Sequence, residues 1–268
     1  MVASSTPNAA YRGGMRPLLA SVLVAALALT ACGSDQEAGG TPAPSPSTSA
    51  STPSPSPTAS PTDNGQVYVA VGASETVGIG ADDPERDAWP AVLHRTALKQ
   101  AEFVNLGVSG STVGQALSAQ LPAALAAEPD VATVWLAVND VRNLVPASVY
   151  EQQLTTLVSQ LRRGGQTEVL VANVPAVERL PAFEACLPGA KAGPVACQLP
   201  FVPTVAEIQA VVKTYNDAIA RVVKAEGATL VDLSDGRALT DLTGTDGFHP
   251  STAGHELIAA EFARELKG

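Results

Sequence analysis

Aromatic side chains make up only 4% of this 268-residue chain. So few rings leave little material for a long stacking platform of the kind a polysaccharide groove uses. Basic residues are also scarce: 16 Lys and Arg stand against 26 Asp and Glu, for a formal charge of −10. No basic stripe or Lys/Arg cluster interrupts that balance. An acidic surface repels phosphate, so nucleic acid is excluded as a partner. Cysteine is limited to three residues and histidine to three. Cys186 and Cys197 have no histidine nearby to fill four ligand positions, so neither a metal site nor another cofactor is expected. Nucleotide signatures are missing too. The "GIG" at 78–80 lacks the third glycine of a dinucleotide fingerprint, and no G-K-[ST] closes a P-loop.

What the chain does have begins with an export signal. Arg12 and Arg16 form a positive region, and "PLLASVLVAALALT" follows as an apolar segment too short to span a membrane. It ends in "LTAC", which resembles the bacterial lipobox. On that reading residues 1–31 are a lipoprotein signal peptide and Cys32 is the lipidated mature N-terminus. The alternative is an ordinary secretory signal cut near Ala31. Either way the mature chain loses two arginines and no acid, and is more acidic still. Residues 32–64 then form a tether rich in Pro, Ser and Thr, unable to build a core and extending roughly 3 Å per residue. The expected location is extracytoplasmic, on the outer face of the bacterial cell membrane, with the chain a monomer. In an exported protein Cys186 and Cys197 read as a disulfide.

The folded domain is expected over 65–268, and its pattern alternates. Apolar β-branched runs recur at 67–71, 102–106, 131–138, 168–174 and 228–233. Helical stretches separate them at 88–100, 113–127, 148–163 and 205–227, and a last one closes the chain at 251–267. Strand alternating with helix means right-handed crossovers and a five-stranded parallel sheet covered by helices on both faces, an α/β architecture. Sites in such sheets form beyond the carboxyl ends of the strands.

Those strand ends carry polar residues. Ser74 follows the first, in "VGASETVGIG"; Gly110 follows the second, in "NLGVSGST"; Asn139 follows the third, in "VND"; and Asp246 and His249 lie in "DGFHP" before the last helix. Alone, Ser74 reads more readily as a helix N-cap. Together the set supplies what acyl transfer needs. Serine is the nucleophile, a neutral imidazole takes its proton, and a carboxylate fixes the imidazole tautomer. The amides of Ser74 and Gly110 and the side chain of Asn139 are candidate donors to an oxyanion. No G-x-S-x-G elbow surrounds Ser74, and only the linker lies upstream of its strand, which counts against an α/β-hydrolase, where several strands come before the nucleophile.

Four such blocks in this order resemble the SGNH, or GDSL-type, serine hydrolase family, as do "AWPAVL" and "GHELIA". The resemblance implies a flavodoxin-like three-layer α/β/α sandwich and metal-free hydrolysis of carboxylic esters. Its substrate would be a small-molecule or lipid ester; alternatives are deacetylation of cell-wall sugars, or binding without catalysis. Three positions depart from the family pattern: Ala73 and Glu75 flank the nucleophile where Asp and Leu are usual, and Ala137 stands where Gly is usual and would narrow the oxyanion hole. His94 and His255 read as structural, Trp89 as packing, and Asp82, Asp83 and Glu85 as a solvated loop. The long stretch 175–204 reads as a substrate-shaping wall stapled by its disulfide, with Phe183, Leu187, Leu199 and Phe201 as candidate pocket residues; the alternative is a surface excursion.

The lipobox reading has a direct consequence. One acyl chain binds membranes marginally and two or more bind firmly. Wild-type protein is expected in the detergent phase of a detergent-partitioning experiment, and Cys32→Ser in the aqueous phase or unprocessed. Wild type in the aqueous phase overturns the anchor.

Overall fold

A computed structural model describes residues 65–191, 193, 195–197, 202–234 and 242–267. The expected signal peptide, Cys32, the tether to residue 64, Leu199 and Phe201 lie outside the described residues. Five strands form one sheet: β1 (Val67–Gly72), β2 (Glu102–Asn105), β3 (Val131–Trp135), β4 (Glu168–Ala172) and β5 (Thr229–Val231). All four pairings are parallel and the spatial order is β2-β1-β3-β4-β5. The chain thus starts inside the sheet, steps outward to β2 and then reverses to β3. The strand order switches between β1 and β3, where open α/β sheets place their crevice.

Helices are α1 (Ser74–Val77), α2 (Pro84–Asp87), α3 (Trp89–Ala97), α4 (Val113–Ala119), α5 (Leu121–Ala126), α6 (Val138–Arg142), α7 (Ala147–Arg162), α8 (Pro181–Glu184), α9 (Val205–Glu226) and α10 (Thr252–Glu265). Side chains of a strand alternate between faces. Val69 and Val71 of β1 therefore enter a core with Ala116, Leu154, Leu161 and Ile219 of α4, α7 and α9. Tyr68 and Ala70 enter the opposite core with Trp89, Leu93, Ile258 and Phe262 of α3 and α10. This is the expected three-layer sandwich. Each fully buried aliphatic or aromatic side chain contributes about 1.5–3 kcal/mol. Trp89 is one of them, stacked on Phe262 at 4.3 Å and edge-on to Trp135 at 6.3 Å.

Local chemistry sets the helix starts. Capping boxes of Thr112 with Gln115 and Thr204 with Glu207 open α4 and α9, and Ser251 caps α10. Several boundaries differ from the sequence expectation, two of them for a clear local reason. The helix expected over 113–127 is split into α4 and α5, because Pro122 has no N–H to continue the ladder. The third strand stops at Trp135 rather than 138, because Val138 already begins α6. Asp82 and Asp83, expected in a solvated loop, are both tied down: Asp83 caps α2 by accepting from Arg86 N, and Asp82 accepts from Thr252 Oγ1 at 2.9 Å.

Gly72 ends β1 against a wall. A Cβ there would lie 1.9 Å from Thr76 Oγ1 and 3.1 Å from the Trp135 carbonyl oxygen. Gly72→Ala must push α1 off the strand end, with an expected loss of about 1–3 kcal/mol in urea denaturation.

Candidate active site

The site begins with how β1 is ended. A strand that stops inside a sheet leaves a backbone N–H and C=O needing partners. Here the side-chain amide of Gln120, 1% exposed, partners both, and Val108 N also donates to Gly72 O at 3.1 Å. Its Oε1 accepts from Gly72 N at 2.9 Å and its Nε2 donates to Gly72 O at 3.0 Å. The same Nε2 donates to Ser111 Oγ at 3.1 Å, and Ser111 O accepts from Asn139 Nδ2 at 3.2 Å. Asn105 adds a second tie, donating to Thr76 O at 2.8 Å and accepting from Gly107 N at 3.0 Å. The loops after β1, β2 and β3 are in this way joined to one another by side-chain amides.

Ser74 opens α1, so the cap position belongs to Ala73, and no side chain caps this helix. The cap reading of Ser74 is not realised. The hydroxyl donates instead to Glu75 Oε2 at 3.2 Å. Among the described residues no hydrogen bond joins Ser74 to His249, and neither Ser74 N–H nor Gly110 N–H finds a protein acceptor. Gly110 has φ +81°, and a Cβ there would meet nothing within 4 Å. The backbone angle is what calls for glycine there. Ala137 is 4% exposed and packed in the core on the α7 face, so its methyl is enclosed rather than facing an open hole.

Asp246 and His249 form the tightest part of the constellation. Asp246 Oδ2 meets His249 Nδ1 at 2.6 Å, while Oδ1 accepts from Phe248 N at 2.9 Å and His249 N at 3.0 Å. Burial alone would raise the Asp246 pKa; the three hydrogen bonds outweigh it and hold the carboxyl below the usual carboxylate range. With Nδ1–H held by the carboxylate, Nε2 is left as the acceptor of a proton. The His249 loop rests on the end of the first block: a Cβ at Gly80 would be 2.2 Å from Pro250 O and 3.1 Å from His249 Cβ. His255 secures that contact. Its Nδ1 accepts from Trp89 N and its Nε2 donates to Ile79 O, both at 3.2 Å. Burial, with a smaller contribution from His249, pushes the His255 pKa down, so the ring stays neutral. His94 binds Ala101 O at 2.9 Å and stacks on Phe103.

The stretch after β4 packs on the Asp–His loop. Ala182 N donates to Gly247 O at 3.0 Å, and Val195 lies against Gly247. Cys186 and Cys197 are joined in a disulfide, with Cα atoms 4.6 Å apart. Pro175, Val177 and Leu180 line a small apolar pocket with Glu75, Trp135, Val138, Thr243, Phe248 and Pro250. Phe183 is not among its walls; it is 7% exposed and packed away, and Leu187 does not line it either.

Sequence reasoning missed Gln120, Asn105 and Asp140. Asp140 sits beside Asn139, wholly buried, and both its oxygens accept from Val113 N at 3.2 Å. It thereby ties α6 to the start of α4. Burial pushes its pKa up to about 6, against the pull of the Val113 hydrogen bond. The available signal was a carboxylate amid the apolar "AVNDV", which reads more readily as a turn.

A five-stranded α/β/α sandwich with Ser, Gly, Asn and an Asp–His pair along one sheet edge defines the class of SGNH-type hydrolases. Residues 70–257 match the GDSL-like lipase/acylhydrolase family, and the chain belongs to that family. No curated protein matches it in sequence. Among solved structures it is similar to a lipase/acylhydrolase from Enterococcus faecalis, at 18% identity and TM-score 0.57, covering 75% of this chain and 95% of that one. It is similar to a family 3 carbohydrate esterase from Clostridium thermocellum, at 19% and 0.55, covering 75% and 94%. Phospholipase A1 from Streptomyces albidoflavus NA297 gives 16% and 0.56, covering 75% and 100%. At these identities the likeness is one of fold, and the three names span three kinds of ester.

Asp140 sets a pH dependence. Its folded pKa lies above the ordinary carboxylate value, so the folded state binds the proton more tightly than the unfolded chain. This contribution to stability is present below about pH 4 and is lost as pH rises to about 6. Asn cannot ionise. The stability of Asp140→Asn relative to wild type is expected to rise between pH 4 and pH 7, by roughly 3 kcal/mol at most, in urea denaturation at each pH.

Proposed function

We propose that this chain is an extracytoplasmic, lipid-anchored serine esterase that cleaves carboxylic esters through an acyl-enzyme. The observation that carries the reading is the Asp246–His249 pair, locked by three hydrogen bonds and packed on the segment that follows Ser74. Family membership supports ester hydrolysis as the reaction. The export signal and lipobox in the sequence support the location and the anchor.

In the proposed cycle the Ser74 hydroxyl turns from Glu75 to His249, a rotation about a single bond. Ser74 Oγ attacks the ester carbonyl while His249 Nε2 takes its proton. Asp246 keeps Nδ1–H bound and stabilises the imidazolium. The oxyanion receives hydrogen bonds from the free N–H groups of Ser74 and Gly110 and from Asn139 Nδ2, whose second hydrogen is not used by Ser111. Collapse expels the alcohol, protonated by His249, and leaves the acyl group on Ser74. Water, deprotonated by His249, then attacks the acyl-enzyme and releases the acid.

A fluorophosphonate is expected to label Ser74, detected by mass spectrometry in the peptide containing "VGASETVGIG", and His249→Ala to suppress labelling. Asn139→Ala is expected to lower kcat by about 10²–10³ with little change in KM. Full esterase activity in folded Ser74→Ala overturns the mechanism.

A further inference from the structure

The mechanism above gives no task to Glu75. Its carboxylate stands 3.2 Å from Ser74 Oγ. That is an unfavourable place for a lone negative charge, because the reaction builds a second one on the oxyanion nearby, and like charges repel. Among the described residues no Lys or Arg pairs with Glu75. Its other surroundings are the pocket walls, where Trp135, Val138, Leu180, Phe248 and Pro250 contribute apolar surface. Glu75 is the only ionisable group among the pocket residues.

The walls belong to the reacting centre. Glu75 is next in sequence to Ser74, Val138 to Asn139, and Phe248 and Pro250 to His249. A part of the bound ester that lies against these walls therefore also lies against Glu75. One carboxylate with two aromatic residues, Trp135 and Phe248, in otherwise apolar walls favours a cation: the carboxylate supplies charge, and aromatic rings are compatible with an ammonium group beside them. A neutral fatty chain would gain from the apolar walls but would bring Glu75 no counter-charge while covering part of it from water, which is costly.

We propose that Glu75 selects esters carrying an ammonium group, in the acyl or the alcohol part, and that this substrate cation supplies the missing counter-charge beside Ser74. The inference rests on the ester-hydrolase reading and names the substrate class for that same site. A bound cation draws the Glu75 carboxylate toward itself, frees the Ser74 hydroxyl to turn to His249, and offsets the repulsion felt by the oxyanion. Charge preference is therefore expected in kcat as well as in KM.

Two substrate pairs of matched shape test this with full-length protein in detergent. Acetylthiocholine is compared with 3,3-dimethylbutyl thioacetate, and p-nitrophenyl 4-(trimethylammonio)butyrate with p-nitrophenyl 5,5-dimethylhexanoate. In at least one pair wild type is expected to favour the cation in kcat/KM by tenfold or more. Glu75→Gln, of the same shape, should abolish the preference, and Glu75→Asp should restore part of it. No charge preference in either pair, or a preference that survives in Glu75→Gln, overturns the proposal. Binding of tetramethylammonium, read from Trp fluorescence because Trp135 lines the pocket, gives a second measurement independent of hydrolysis. Wild type should bind it and Glu75→Gln should not; equal binding overturns the role of Glu75. If no ester is cleaved, the hydrolase reading fails, while the fluorescence titration still decides whether Glu75 holds a cation.

Discussion

Gln120 makes the same two hydrogen bonds to Gly72 that a neighbouring strand would make, and the site is arranged around that substitution of side chain for backbone. β1 lies between β2 and β3, and at its last residue the N–H has no acceptor on either neighbour. Without Gln120 the Gly72 N–H would be buried and unsatisfied, at roughly 1–3 kcal/mol, while Gly72 O would keep only its bond from Val108 N at 3.1 Å. A side-chain amide has one acceptor and two donor hydrogens. Gln120 uses the acceptor and one donor on Gly72 and the other donor on Ser111, whose carbonyl holds Asn139. One buried amide thus couples the turn bearing Ser74 to the loop of Gly110 and to the oxyanion candidate on α6.

Two aspartates near the site show how environment divides similar groups between different tasks. Asp246 is partly open to solvent and receives three hydrogen bonds, which keep it ionised as a partner for His249. Asp140 is sealed in the core with backbone donors only, and burial dominates. One carboxylate orients a ring and the other joins two helix starts. A similar contrast separates the histidines. His255 has both nitrogens committed to backbone groups, whereas His249 keeps Nε2 uncommitted. Chemistry requires the unfinished group; structure requires the finished one.

The parts shared with the family and the parts particular to this chain occupy different layers of the site. The sheet order, the strand-end blocks and the Asp–His loop follow from the fold. The stretch after β4, pinned to Gly247 and closed by Cys186–Cys197, supplies pocket walls. Glu75, where the family usually has Leu, places a charge in that pocket. A fold of this kind hosts many ester chemistries, and selection among them rests on such additions.

By itself the sequence determined the elements and their order. Continuous apolar runs such as 131–135 specify buried parallel strands, and amphipathic runs such as 205–226 specify covering helices, because both patterns are local and periodic. It also determined the Asp246–His249 contact, since three residues across a turn bring the two groups together without help from the rest of the chain. Ser74, Gly110 and Asn139 were legible because strand ends are legible and parallel strands put them on one edge. Tertiary structure alone decided what joins those ends. Gln120 lies 48 residues from Gly72 and looks like any polar residue in a helical stretch. Asp140 looked like a turn until burial on all sides gave it a raised pKa. The walls of the pocket, and the choice of Glu75 over His249 as partner of the Ser74 hydroxyl, were decided there too. Local pattern fixes backbone conformation and which face is apolar; which distant polar group meets which is settled only when the layers pack and leave each buried donor and acceptor one reachable partner.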